Sequence, residues 1–439
     1  MSTPATPFVK SMQAAAVSGL PGSGLAWLDE TRRDALQAFI DRGLPEARNE
    51  LWKYTALRAL QQRAYAPRDE DAASRSVPDD LLRLDGCEGP RAVFVNGAFR
   101  ADLSRLGDLQ DGITLQPLSE ALRHQSEPLR FLLAARADDD EDGLTLLNRA
   151  LAADGLIVRV ADGVHAYQPF RVVHVGMSAG SAVAWHLRDL IELGEGASLA
   201  VIEHHVGDET SGHLANLVRG VTLRANAQLG WTVVQRASQD ATLLRRTDCV
   251  LHDDATLDFH ALEVGGKLAR HELRVDLAGA RARFASRGAF VLDGRQHCDS
   301  EVLVTHRGRD TLSDSLWRGV AGDRARGVVH GRILVEPGAD GSDGSFYNKN
   351  LLLSPTAEID TRPALEIYAD EVKANHGATV GQLDEGVLFY LRSRGIPLDV
   401  ARRMLVRAFC AVTLDGIRSA PLREFCEALL AEQLPEAQA

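Results

Sequence analysis

The sequence predicts a mainly β core built as a solenoid, with helical segments before and after it. Two observations carry this. From about Val172 to Asp370 the apolar residues show almost no helical periodicity, and short β-prone runs are cut by small or polar turn residues. Within that stretch a pattern returns: Leu193-Gly-Glu-Gly-Ala-Ser-Leu199, Leu223-Arg-Ala-Asn-Ala-Gln-Leu229 and Leu251-His-Asp-Asp-Ala-Thr-Leu257. The starts are 30 and 28 residues apart, a weaker copy begins 26 residues later at Leu277, and Leu353-Ser-Pro-Thr-Ala-Glu-Ile359 reads as another. An apolar residue, a turn with a small residue at its centre and a second apolar residue, repeated at nearly fixed spacing, is the signature of a coiled sheet. A sandwich or a barrel is the alternative.

Composition narrows the function. The 439 residues suffice for two or three domains. A net charge of -12 argues against nonspecific nucleic-acid binding, which needs clustered Lys and Arg. No apolar run approaches the ~20 residues of a membrane span, and no basic segment followed by an apolar core opens the chain, so a cytoplasmic protein is expected. The five cysteines, Cys87, Cys249, Cys298, Cys410 and Cys426, include no C-x-x-C pair. Free buried thiols are expected rather than structural zinc or disulfides.

The elements then follow in order. Residues 1 to about 24 are rich in Ala, Ser, Pro and Gly and read as loosely packed. A helix is expected from Asp29, as its N-cap, to Asp41, with Gly43 and Pro45 as stop signals. Trp52 and Tyr54, in a chain poor in aromatics, read as anchors onto the next domain. Pro67 to Pro78 reads as a linker or surface loop, and Arg91 to Phe99 as a hairpin turning at Asn96-Gly97. Leu129 to Ala135 looks helical, the acidic run Ala137 to Asp142 reads as a solvated loop or helix N-terminus, and a helix over about Leu144 to Ala153 leads into the sheet. Runs such as Ser198 to Glu203 and Gly230 to Gln235 alternate imperfectly, as strands with a dry inner face do.

Beyond the repeats, Asp384 is expected to cap a helix ending at Gly395, and Asp399 to cap the next. That second helix carries Val400, Met404, Leu405, Ala408 and Val412 on one side, a stripe that would pack on the parent domain or, alternatively, face a partner. A third helix starts after Pro421.

Enzyme signatures are few. No phosphate-binding G-x-x-x-x-G-K-[ST] and no HExxH occurs; Gly176-Met-Ser-Ala-Gly180 alone has G-x-S-x-G spacing, and Gly194-Glu-Gly196 falls inside a solenoid turn. Thirteen of the fourteen histidines lie between His165 and His376. There is no H-x-H pair, and adjacent His204 and His205 would point to opposite faces of a strand. The histidines therefore read as surface or hydrogen-bonded residues.

The densest motifs stand between Asn348 and Gly395. They are Asn348-Lys-Asn-Leu-Leu-Leu-Ser354, Ala357-Glu-Ile-Asp-Thr-Arg-Pro-Ala-Leu-Glu-Ile-Tyr-Ala-Asp370, His376-Gly-Ala-Thr-Val-Gly381 and Phe389-Tyr-Leu-Arg-Ser-Arg-Gly395. In this order and without gaps they closely resemble the SufB/SufD family of iron–sulfur cluster assembly scaffolds. Asp293-Gly-Arg-Gln-His297 and Gly327-Val-Val-His-Gly331 are similar to its solenoid turns, and Glu50-Leu-Trp-Lys-Tyr-Thr55 resembles an element of its SufD branch. The resemblance runs from about residue 49 to 410.

The resemblance implies a parallel, right-handed β-helix flanked by helical segments. The expected division is an N-terminal, mainly helical region with a small hairpin over 1–155, the β-helix over 156–376 and a C-terminal helical domain over 377–439. It also implies a noncatalytic subunit that pairs with SufB, docks the ATPase SufC on its C-terminal helices and shares a transient iron–sulfur cluster at the SufB interface. The resemblance further implies reduced FAD as a cofactor at the level of that complex, and leaves a homodimer open as an alternative assembly of the chain alone. His376 is the matching metal-ligand position. Ala374 stands where many members of the SufD branch carry a cysteine, so this chain supplies no thiolate there. A solenoid carbohydrate-active enzyme and a generic structural adaptor are the competing classes.

Overall fold

In a computed structural model the described residues are 6–433, apart from 18, 68–74, 85, 108, 125–128, 131–132 and 134–141. The chain winds as a parallel β-solenoid whose strands go alternately to two sheets. The ten-stranded sheet starts with a hairpin of Arg91–Val95 and Ala98–Phe99 and continues through Phe170–Gly176, Ser198–Gly207, Gln228–Arg236 and Thr256–Glu263. Arg283–Leu292, Leu312–Ala321, Asp343–Leu352 and Lys373–Gly381 complete it. The nine-stranded sheet takes Ile113–Pro117, Leu156–Val160, Ala184–Leu193, Leu214–Leu223 and Thr242–Leu251. It ends with Leu268–Leu277, His297–His306, Arg326–Val335 and Glu358–Ile367.

The repeat has a physical basis in register. Leu193, Leu223, Leu251 and Leu277 sit opposite one another on successive strands of the nine-stranded sheet, and His306, Val335 and Ile367 continue the row. Leu199, Leu229, Leu257 and Phe284 form the matching row across the lumen. Between the rows the chain turns at Gly196, Asn226, Asp254 and Arg281, with φ of 65°, 59°, 57° and 58°. Such a φ favours Gly, Asn and Asp, which explains the turn residues. Each of these residues donates its N–H to a carbonyl of the following coil, at 2.8 to 2.9 Å. The small residues that follow, Ala197, Ala227, Ala255 and Ala282, are fully buried. The segment from Leu353 is out of phase with this row. It forms the turn at the opposite edge, between Asp343–Leu352 and Glu358–Ile367, where the Leu353 N–H bonds the Ala321 carbonyl at 2.9 Å.

Helices cover both outer faces. Pro7–Val17 is a packed helix rather than a loose end: Phe8 and Met12 are buried, and the Phe8 ring meets Phe39 and Tyr65 edge-on. The next helix spans Ala26–Arg42, so Asp29 lies in its first turn instead of capping it, and accepts from the Gly24 N–H at 3.0 Å. Asp142 caps Gly143–Leu151, accepting from the N–H groups of Leu144 and Thr145. The rest of the acidic run lies outside the described residues, as does much of Leu129 to Ala135 and of the stretch from Pro67 to Pro78. The hairpin turns at Asn96 and Gly97 as expected, but its first strand joins the ten-stranded sheet beside Phe170–Gly176. At the other end the strand carrying His376 runs on to Gly381, so a boundary between 376 and 377 falls inside it.

The leucine rows predict the cost of disturbing them. Leu251→Ala should lower stability by about 2–5 kcal/mol through lost burial and a residual cavity. Leu312→Ala, at a partly exposed strand start, should change it by no more than about 0.5 kcal/mol. Guanidinium unfolding midpoints of the two variants compare them directly.

Candidate functional site at the open end of the solenoid

Each sheet ends on a strand with one free edge: Lys373–Gly381 in the ten-stranded sheet and Glu358–Ile367 in the nine-stranded one. A free edge presents unpaired N–H and C=O groups, and these two lie side by side at the last coil. His376 stands on the first of them, in register with Phe346 of the strand beneath. Phe346 faces the lumen and is buried, so by the same register His376 also faces the lumen side, with its imidazole exposed at the mouth.

The other lumen-side positions of the last coil are mostly apolar. On the strand of His376 they are Ala374, Ala378 and Val380; across from them come Ile359, Thr361, Pro363 and Leu365. Ala374, two residues before His376, shares its face, so a thiol at that position would stand beside the imidazole; the methyl here supplies no ligand. Phe346 forms the floor under this mouth. A Cβ on Gly331 would come within 2.3 Å of the Phe346 ring, so only glycine lets the ring close the lumen there. Asn348 and Asn350 lie just below, buried and hydrogen-bonded to each other at 2.6 and 3.2 Å, and brace the strand from inside. His376 alone cannot fill the coordination sphere of an iron ion, which takes four or more ligands.

The N-terminal aromatic element sits beside this end. Trp52 is buried with the Arg270 guanidinium 4.0 Å above its ring, and the Thr55 hydroxyl bonds Asp299 and, at 3.0 Å, His297. Glu50 pairs at 2.9 Å with Arg362 on the edge strand Glu358–Ile367. Trp52 is the anchor its sequence context suggested.

Three helices follow the last strand. Asp384 caps Glu385–Ser393 as expected, accepting from the N–H groups of Gly386 and Val387. The second helix, Leu398–Ala411, begins after Pro397, and Asp399 instead pairs with Arg403 at 2.9 Å. Its buried residues are Ala401, Val406 and Cys410. Together with Leu422, Cys426, Leu429 and Leu430 of Ala420–Glu432, Val406 and Cys410 cover Ile202, Val234, Leu262 and Val291 on the ten-stranded sheet. The stripe expected to pack inward is split: Val400 and Leu405 are half-buried, whereas Met404 and Val412 are exposed, as is Ala408. With Val387, Phe389, Tyr390 and Leu398 they give these helices an outward apolar surface, on which Phe389 is 74% exposed.

Most histidines are hydrogen-bonded, as expected, but inside the protein rather than on its surface. His174, His186, His204, His205, His213, His271, His306 and His330 are buried. His205 points into the lumen and His204 outward against Phe425, the opposite facings that adjacency requires. His186 takes a 3.2 Å bond with Asn216, and His213 one of 2.8 Å with Ser211 while stacking on Trp185. Burial pushes both imidazoles down to about 3. In the lumen, Arg219 bridges Asp189 at 2.7 Å and Glu203 at 2.5 Å, and Arg245 pairs with Glu263 at 2.6 Å. Burial alone would raise the Glu203 carboxyl, but Arg219 and His205 hold it well below the usual carboxylate range. Strand alternation hid these charges because the lumen was expected to be dry. The sequence signal for them was charged residues at the inward phase of otherwise apolar strands.

Comparison with known proteins fits this geometry. A family model for the SUF system FeS cluster assembly SufBD core domain matches residues 175–409, and one for the SufBD protein N-terminal region matches residues 20–172. The chain belongs to the SufB/SufD family. Over 411 residues it is 29% identical to the iron–sulfur cluster assembly protein SufD of Escherichia coli, covering 91% of this chain and 92% of that one. It is 31% identical over 427 residues to an iron–sulfur cluster assembly SufBD family protein of Mycobacterium leprae, covering 95% and 97%. SufD of Bacillus subtilis is 25% identical over 399 residues, covering 89% and 90%. The SufBD core match takes in the last coil, His376 and the second C-terminal helix.

The buried histidines set a pH dependence. An unfolded-chain imidazole titrates near about 6.5, whereas His186 and His213 stay neutral in the fold down to about 3. Below pH 6.5 the unfolded chain binds protons that the fold does not, so stability present above that pH is lost as pH falls toward 3. The ceiling is about 1.4 kcal/mol per pH unit for each histidine. Urea midpoints at pH 7, 6 and 5 should fall in that order, and more shallowly for His213→Gln; equal slopes would contradict this assignment.

Proposed function

We propose that this chain is a noncatalytic SufD-type scaffold subunit in iron–sulfur cluster assembly, working in the cytoplasm. It pairs through its open end with SufB and carries the ATPase SufC on its C-terminal helices. The observation that carries the reading is the last coil. Two parallel sheets stop there with unpaired edges, and a single exposed imidazole stands at the mouth they frame. A second solenoid edge satisfies those backbone groups by strand addition. The same contact brings the further ligands that His376 needs, including the thiolate that Ala374 cannot give. The nascent cluster is thus cargo shared between two chains, and reduced FAD acts at the level of the complex.

The outward apolar surface around Phe389, Tyr390, Met404 and Val412 is the second support. Large exposed apolar side chains gathered on adjoining helices mark an interaction surface. It lies on the elements that directly continue the last strand, so an ATPase bound there is mechanically linked to the open end.

Co-expression with the paralogue and the ATPase tests both halves. His376→Ala should leave the three-protein complex intact on affinity purification, yet cut visible cluster absorbance after anaerobic reconstitution by tenfold or more, on the order of a lost metal ligand. Undiminished absorbance would remove His376 from the site. Phe389→Asp combined with Met404→Asp should release the ATPase and retain the paralogue; retention of both would place the ATPase elsewhere.

A further inference from the structure

Far from the open end, the first coils hold another group of ligand-type side chains. Phe170–Gly176 and Ser198–Gly207 run parallel with His174 opposite His205, and Glu203 lies two residues before His205 on the same lumen face. Among the described residues, these three are the group of His, Cys, Asp and Glu whose ligating atoms all lie within 4.8 Å of one another. They are 5%, 1% and 2% exposed for His174, Glu203 and His205.

His174 is the residue that needs explaining. Its ring is stacked between Phe94, at 5.5 Å, and His205, at 4.7 Å. Among the described residues neither of its nitrogens has a hydrogen-bond partner, and the Glu203 Oε2 also lacks one. A buried polar group without a partner is destabilising, and an aromatic hydrocarbon ring would fill the same stack without that cost. One unpartnered His174 nitrogen, a Glu203 carboxylate oxygen and a His205 nitrogen, all close together and buried, are what a ligand set looks like.

We propose that His174, Glu203 and His205 bind one borderline divalent cation of the Zn²⁺ or Fe²⁺ class. Two imidazoles and a carboxylate suit such ions, whereas Mg²⁺ and Ca²⁺ prefer all-oxygen sets. The cation takes the place of the proton in the short Glu203–His205 contact: the neutral His205 ring carries its one proton on Nδ1 and offers Nε2 to the ion, so no net proton is released. Side-chain adjustment brings the donors to about 2.0–2.2 Å from the ion. Arg219, fixed by Asp189, orients Glu203 from behind. This site is not the one at the mouth. Six strand spacings separate the strands of His205 and His376, about 29 Å at ~4.8 Å each.

The test uses the full chain carrying His376→Ala, which removes the mouth imidazole. Expressed in zinc- or iron-supplemented medium and dialysed against chelator, it should retain about one cation per chain by mass spectrometry, because a buried site exchanges slowly. Adding His174→Gln should abolish retention, a loss of at least the 10–100-fold seen even for outer-shell changes. No retained cation, or retention unaffected by His174→Gln, overturns the site. Should the double variant fail to fold, X-ray absorption of the cation held by His376→Ala decides: two imidazoles in its scattering support the site, and none overturns it. Failure here leaves the open-end reading untouched, since His376 takes no part.

Discussion

A parallel coil passes its backbone hydrogen bonds to the next coil, and the last coil has nowhere to pass them. Everything functional in this chain follows from that constraint. Along the solenoid each strand from Phe170 onward is paired on both sides until Glu358–Ile367 and Lys373–Gly381. Stability in such a fold is a sum over neighbour contacts, so both ends have to be dealt with. At the start the chain turns back on itself, with Ala98–Phe99 and Ile113–Pro117 pairing antiparallel to the sheets. At the finish no strand among the described residues covers the edge. A free two-sheet edge invites uncontrolled pairing unless a specific partner takes it.

The lumen is divided in the same sense. Its early coils contain Asp189, Arg219, Glu203, Arg245 and Glu263, all buried and paired. Its later coils are filled by Phe290, Trp317 and Phe346. Buried ion pairs contribute little net stability compared with apolar packing, because desolvation offsets their attraction. Their presence at one end only makes the two ends chemically distinct. Phe346, admitted by Gly331, keeps the mouth near His376 separate from that charged interior.

Much of this was legible in the sequence, for a reason. The leucine rows and their turns repeat because each coil solves the same steric problem, and Asn226 and Asp254 occupy the position where φ is positive. The segment at Leu353 resembles the repeat but belongs to the other edge, since an apolar pair flanking a turn fits either. The stripe through Met404 and Val412 has helical periodicity, yet periodicity alone does not say which of two apolar faces meets the sheet; Val406 and Cys410 do. His376 was found through the motif around it. His174 and His205 were not, because residues 31 apart in the chain become neighbours only once the coil length is known.

The clasp formed by the N-terminal aromatic element has a consequence in time. Glu50 meets Arg362, 312 residues later, and Trp52 and Thr55 meet Arg270 and Asp299. During synthesis the coils can stack as they emerge, one upon the last, and this element is fastened in stages as its partner strands appear. Trp52 can be seated once Leu268–Leu277 is in place and Thr55 once His297–His306 is, whereas the Glu50 contact waits for Glu358–Ile367. The last stage marks completion: a chain stopped short of Glu358–Ile367 lacks the Arg362 contact and leaves Glu50 unfastened.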